Sequence, residues 1–127
     1  DNFKSVNSKS FASELFDLQI LDLNKKRKKI KIDLFGIFHT LDHTLDPNKV
    51  LNFALNNSDY VLVYCHVDKW LEKQHLFSLT KDFMKYLNYN KIYTYDMTHI
   101  IEKKFKSPEL YFLCSKKKRY IDKIKNK

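Results

Sequence analysis

The stretch from Ile32 to Pro47, IDLFGIFHTLDHTLDP, constrains the fold more than any other part of the sequence. Its first half is mostly apolar, and its second half collects histidine, threonine and aspartate side chains. A near-continuous apolar run is typical of a strand covered on both faces, as in a parallel sheet. Asp46 before Pro47 is a typical helix start, an N-cap with proline at the first helical position. The stretch therefore predicts a buried strand, Ile30–Phe38, that delivers polar side chains at its carboxyl end and leads into a helix.

The rest of the chain alternates between strand-like and helix-like segments. The predicted strands are Leu18–Leu23, Ile30–Phe38, Asp59–Cys65, Lys91–Tyr95 and Leu110–Cys114. The predicted helices are a short one over Ser10–Phe16, one beginning at Pro47 and one beginning at Thr80. Strands separated by helices of about ten residues predict an α/β fold with a mostly parallel sheet and helices on its faces. We expect the last two strands to form an antiparallel pair, because no strong helix separates them.

The length of 127 residues predicts a single domain, with a loose N-terminus over residues 1–9 and a basic tail over residues 116–127. The single glycine excludes a glycine-rich loop that cradles a phosphate or dinucleotide, which needs two or three glycines. No apolar run approaches the roughly 18 residues that span a bilayer, and we expect no secretory signal in these residues. Cys65 and Cys114 each lie inside an apolar run. We therefore expect a cytoplasmic protein with two buried free thiols.

The net charge of +9 comes largely from two lysine-rich runs, Lys25–Lys29 and Lys116–Arg119. Such runs suit anionic partners such as nucleic acid or nucleotide-linked ligands. The runs are mostly lysine, with one arginine in each, and contain no interleaved aromatic residues. A solvated loop and a solvated tail are therefore the favoured interpretation, and nucleic-acid binding is the alternative.

Histidines follow two neighbouring predicted strands. His39 and His43 follow the first, with Asp42 between them, and His66 follows the next. The carboxyl ends of parallel strands meet at one edge of a sheet, where α/β proteins bind ligands. Histidine titrates near neutral pH, so these side chains are candidates for a general acid or base. A role in stabilising the turn is the alternative. We predict no metal site, because the spacing of four between His39 and His43 would suit a metal on a helix but falls here in a turn, without a Glu-rich or Cys-rich partner set. We also predict no Cys65–His66 nucleophilic pair, because neighbours on a strand point to opposite faces.

One phrase resembles a known family. His39-Thr40-Leu41-Asp42-His43, followed by Asp46-Pro47, resembles the fourth-strand segment of class I S-adenosylmethionine-dependent methyltransferases. There an apolar strand ends in His-x-Leu-(Glu/Asp)-His before an Asp-Pro and a helix. Asp59–Cys65 resembles the fifth strand, Gln74–Ser78 the segment before the next helix, and the last two strands the final antiparallel pair. The glycine-rich loop of the family cannot be placed, so the chain resembles the carboxyl-terminal half of this Rossmann-like domain.

The resemblance implies methyl transfer from S-adenosylmethionine to a small polar metabolite or sugar, once a missing N-terminal half or a partner chain completes the domain. It implies His43 or His39 as base, oriented by Asp42. It implies that the cofactor side is lined by Asp22, Phe38 and Thr40, and that the substrate is contacted by His66, His75 and Phe77. His75 and Phe77, together with Trp70, could instead be ordinary packing of a long loop. The rival hypothesis is a non-catalytic α/β module that binds an anionic partner through the lysine-rich runs.

Overall fold

The computed structural model describes residues 31–67, 76, 79–80, 82–100 and 109–127. The strands are β1 (Ile32–Phe38), β2 (Ser58–His66), β3 (Tyr93–Asp96) and β4 (Glu109–Ser115). The helices are α1 (Pro47–Asn57), α2 (Phe83–Tyr89) and α3 (Lys118–Lys125), and there are two 3₁₀ turns, Leu41–His43 and Thr98–Ile100. The predicted α/β class is confirmed. The predicted Ser10–Phe16 helix, Leu18–Leu23 strand and loose residues 1–9 lie outside the described residues.

The described strands form one mixed sheet in the order β1-β2-β4-β3. β1 and β2 are parallel, whereas β4 pairs antiparallel with both β2 and β3. The expected antiparallel pairing of the last two strands is confirmed. The expected mostly parallel sheet is not, since only one of the three described pairings is parallel. The reason is that β4 lies between β2 and β3 and is antiparallel to both. It therefore separates β2 and β3, which are parallel to each other.

Helix α1 forms where the sequence predicts it. The Asp46 carboxylate accepts a hydrogen bond from the backbone N–H of Lys49 at 3.0 Å, which caps the first turn. Its apolar face packs on the sheet, with Phe53 edge-on to Phe35 of β1 at 6.1 Å between ring centroids. Helix α2 begins at Phe83 rather than Thr80, because the Thr80 carbonyl accepts the Phe83 N–H at 3.0 Å in a turn that precedes the helix.

The core lies on one face of the sheet. Val61, Val63 and Cys65 alternate along β2 and are completely buried, as are Phe112 and Cys114 on β4. Both cysteines are free thiols, as predicted. Helices α1 and α2 cover this face with Leu51, Ala54, Leu55 and Leu87. The result is a rigid support beneath the carboxyl ends of β1 and β2.

The outer part of β1 differs from the expectation. Leu34 and Phe38 are 52% and 53% exposed, whereas Ile37 on the opposite face is buried. Coverage on both faces is therefore not seen for this strand within the described part of the chain. The prediction of two covered faces followed from apolar residues on both faces of β1. Apolar composition alone does not show that another element packs on each face.

Helix α3 lies within residues 116–127, the segment predicted as a basic tail. Ile121 is 1% exposed and anchors the helix to the sheet. The ring of Tyr120 lies 5.3 Å from that of Tyr60 on β2. The lysines point outward, and Lys118 pairs with Asp122 one turn later at 2.6 Å. None of the helices in the described ranges is long and apolar enough to cross a membrane.

Candidate functional site

Two histidine rings meet at the carboxyl ends of β1 and β2. The backbone N–H of His39 donates to the backbone carbonyl of Tyr64 at 2.7 Å. This bond continues the parallel pairing of β1 with β2 one residue past the end of β1. His39 has a φ of 47°, a left-handed conformation that non-glycine residues adopt infrequently and that is often found at functional sites. Its ring lies 4.4 Å from that of His66, centroid to centroid. The predicted convergence of histidines at this edge is present in the structure.

A carboxylate completes this pair from the neighbouring antiparallel strand. Glu109 opens β4 and stands opposite His66 in the register. His66 Nδ1 lies 3.1 Å from Glu109 Oε1, and the two side chains are only 20% and 7% exposed. We call His39, His66 and Glu109 the edge cluster. A carboxylate placed against an imidazole orients the ring and stabilises its protonated form.

Tyr64 supports the edge cluster from the same face of β2. It lies two residues before His66, and its ring packs edge-on to His39 at 4.3 Å. Burial, and then a hydrogen bond to Glu109, raise the pKa of the Tyr64 hydroxyl well above its usual value of about 10. Tyr64 therefore stays protonated and donates to Glu109, which holds the carboxylate in place.

The environment of His39 favours its neutral form. Burial lowers the pKa of His39 below 6.5, and nearby His66 lowers it further, against weaker opposite effects from Glu109 and Asp42. The imidazole is therefore uncharged at neutral pH and can accept a proton. Buried atoms His39 Nδ1 and Glu109 Oε2 make no hydrogen bond within the described part of the chain.

Asp42 and His43 lie in the 3₁₀ turn beside this cluster. Leu41 is completely buried and fixes the turn to the core. The Asp42 side chain is 3% exposed, and its Oδ1 lies 3.7 Å from Nε2 of the partly exposed His43. The charges of both residues affect the pKa of His39, so they are within electrostatic range of it. The predicted residues His39, Asp42, His43 and His66 thus share one end of the sheet.

The other residues predicted for the site are not part of the edge cluster. Phe38 is half-exposed, and its ring covers the backbone of Gly36 so closely that a Cβ there would lie 2.9 Å from it. The Thr40 hydroxyl donates to the Phe38 carbonyl at 2.7 Å and is used within the turn. Asp22, Trp70, His75 and Phe77 lie outside the described residues.

Sequence reasoning missed two members of the site, Glu109 and Tyr64. Tyr64 could have been found from the two-residue period of β2, which places it on the face of His66. Glu109 precedes the predicted strand Leu110–Cys114 and belongs to the site only through the β2–β4 register. No local signal in the sequence fixes that register.

The edge cluster also has the composition of a metal site. One candidate ligand atom from each of His39, His66 and Glu109 lies within 4.8 Å of the others. His39 and His43, whose spacing led to the expectation of no metal, are a different pair from His39 and His66. Comparison of the chain with known protein families, with curated proteins and with solved structures gave no match.

Proposed function

We propose that this chain is the methyl-acceptor side of a class I S-adenosylmethionine-dependent methyltransferase domain. The observation that carries the proposal is the convergence of His39 and His66 at the ends of two adjacent parallel strands, with Glu109 against His66. Ligands of α/β proteins bind at this kind of sheet edge. The acceptor is a small polar molecule with a hydroxyl or amine nucleophile, and the protein acts in the cytoplasm.

The topology supports the same proposal. The resemblance equates β1 and β2 with the fourth and fifth strands of the family and β3 and β4 with its final antiparallel pair. This equivalence requires β1 and β2 to be parallel neighbours and β3 and β4 to be antiparallel, as they are. It also requires helices after β1 and β2, which α1 and α2 provide.

The described residues do not by themselves form the cofactor site. The only glycine of the chain, Gly36, lies within β1 beneath the Phe38 ring rather than in a loop. The Thr40 hydroxyl is already bonded to the Phe38 carbonyl. S-adenosylmethionine supplies an activated methyl group, and we assign most of its contacts to an N-terminal half that would complete the sheet beyond β1.

The edge cluster supplies the proton acceptor that the methyl acceptor requires. A hydroxyl or amine must lose its proton as it attacks, and a neutral imidazole at hydrogen-bond distance accepts that proton. His39 is held neutral at pH 7. His66 is oriented by Glu109, whose Oε1 lies 3.1 Å from His66 Nδ1. Asp42 and His43 would contact the polar groups of the acceptor that do not react.

Calorimetric titration of the full-length native protein with S-adenosylmethionine tests this proposal. We expect saturable binding, and unchanged cofactor affinity in His39→Gln and His66→Gln. In a methyl-transfer assay, both substitutions should lower kcat by about 10²–10⁴-fold, the usual contribution of a positioned acid or base. His99→Gln, in the Thr98–Ile100 turn, is the matched control. Absence of cofactor binding by the full-length protein would overturn the proposal.

A second candidate function rests on the opposite end of the sheet. Lys31, Lys116 and Lys117 line a surface cleft of about 470 Å³ there, which suits an anionic ligand. Lys117 lies 3.8 Å from Asp59, and Lys116 donates to the Asn56 side chain, so part of this charge is already engaged. Nucleic-acid affinity that falls steeply with salt would favour this candidate, and salt-independent affinity would exclude it.

A further inference from the structure

We propose that His39, His66 and Glu109 bind a divalent transition-metal ion at the carboxyl edge of the sheet. The three side chains come from the end of β1, the end of β2 and the start of β4, and one candidate ligand atom from each lies within 4.8 Å of the others. The inference goes beyond methyl transfer, which requires no metal. An ion bound here would occupy the imidazole lone pair that the proposed base chemistry uses, so the metal-bound and proton-accepting forms of the site exclude one another.

The spacing of the donor atoms is close to that of a bound ion. Bonds of about 2.0–2.1 Å in tetrahedral geometry place neighbouring ligand atoms about 3.4 Å apart. His66 Nδ1 and Glu109 Oε1 are 3.1 Å apart, so they already span one such edge. The candidate atoms all lie within 4.8 Å of one another, so bringing His39 to a spacing of about 3.4 Å requires a closure of at most roughly 1.4 Å.

The hydrogen bonding of the cluster provides a second, independent argument. His39 Nδ1 and Glu109 Oε2 are buried acceptor-capable atoms that make no hydrogen bond with the described residues. Leaving such an atom unpaired costs about 1–3 kcal/mol. Native proteins leave few buried polar atoms unpaired, so two of them in one small cluster indicate a missing partner. A cation held by the edge cluster is a partner that such atoms can bind.

The donor set indicates which ions fit. Two imidazoles and one carboxylate favour Zn²⁺ and its neighbours Co²⁺, Ni²⁺ and Fe²⁺ over Mg²⁺ and Ca²⁺, which prefer oxygen ligands. Three protein ligands leave a position open, as in catalytic rather than structural zinc sites. Tyr64, bonded to Glu109, orients the carboxylate from outside the site. Cys65 is completely buried in the core below β2 and cannot contribute its sulfur.

The test is calorimetric titration of the metal-free chain with ZnCl₂, together with the absorption spectrum of its Co²⁺ complex. We expect one ion per chain, and at least a tenfold loss of affinity in each of His39→Ala, His66→Ala and Glu109→Ala. His99→Ala removes a histidine outside the cluster and should leave the affinity unchanged. Far-UV circular dichroism verifies that each variant remains folded.

The Co²⁺ spectrum keeps the proposal testable should a variant fail to fold. Coordination by nitrogen and oxygen gives weak visible bands from the wild-type chain, which we expect. An intense sulfur-to-cobalt charge-transfer band would assign the ion to a cysteine and overturn the proposal. A wild-type chain that binds no Zn²⁺ would overturn it as well, whatever the affinity of the full-length protein for S-adenosylmethionine.

Discussion

Replacing Leu41 with alanine tests whether the turn that carries the site is anchored in the core. Leu41 is completely buried among the core residues, in the middle of the phrase His39–His43. Leu45, four residues later, is 94% exposed. The two positions therefore offer the same substitution in the same segment with opposite burial.

The expected magnitude follows from this difference. Truncating a fully buried leucine to alanine costs about 2–5 kcal/mol, because apolar contacts are lost and a cavity remains. We expect Leu41→Ala to lower the free energy of unfolding by about 3 kcal/mol. Leu45→Ala should change it by less than about 0.5 kcal/mol, as surface substitutions usually do. With a total stability of about 5–15 kcal/mol for a domain, the first change is a large fraction of the whole.

Urea unfolding followed by circular dichroism measures both variants. For an m-value of about 1–3 kcal/mol/M, Leu41→Ala should lower the midpoint by about 1–3 M, whereas Leu45→Ala should leave it within about 0.5 M of the wild type. Equal midpoints for the two variants would refute the reasoning. Such a result would mean that the turn does not depend on the core for its position, and that the edge cluster is not held from below.

Three further predictions concern the capping, thiol and metal sites. Asp46→Ala should lower the free energy of unfolding by about 1 kcal/mol in the same urea assay, and Asp46→Asn by much less, since asparagine also caps α1. Burial raises the pKa of the Cys65 and Cys114 thiols to about 12. Stability should therefore fall as pH rises from 9 towards 12, because the unfolded chain releases thiol protons that the folded chain retains. Relative to each Cys→Ala variant, the wild type should lose about 1.4 kcal/mol more per thiol by pH 10, and wild-type and variant profiles that run parallel would contradict it. Zn²⁺ at a hundred times its Kd should raise the free energy of unfolding by about 2.7 kcal/mol, reversibly with EDTA and not in His66→Ala; equal stabilisation of that variant would contradict the metal site.

The elements that the sequence predicts well are those with a strong local signal. Asp46-Pro47 fixes the start of α1 because the cap and the proline act within one turn. The β-branched and aromatic run Asp59–Cys65 lies within β2, and its two-residue period decides which side chains enter the core. His39 and His66 lie close together because β1 and β2 are parallel neighbours. The helix predicted between the two strands indicates this parallel pairing.

The features that could not be predicted depend on contacts distant in sequence. Glu109 reaches His66 through an antiparallel register between strands more than forty residues apart, and no local pattern encodes that register. The insertion of β4 between β2 and β3 is likewise a property of the whole sheet. Helix α3 was missed for another reason. The lysines around Ile121 dominate its composition, and only the three- and four-residue spacing of Tyr120, Ile121 and Ile124 indicates a helix.

The insertion of β4 has a consequence for how the chain folds. In the described sheet β3 pairs with β4 alone, although β3 precedes β4 in the sequence. When β3 leaves the ribosome its partner in the described sheet, β4, has not yet been synthesised, so β3 must wait for it. β4 in turn joins β2 across about fifty residues. The order of assembly is therefore not the order of synthesis, and closing this long loop should slow the completion of the sheet. Because Glu109 arrives with β4, the edge cluster can form only in that late step.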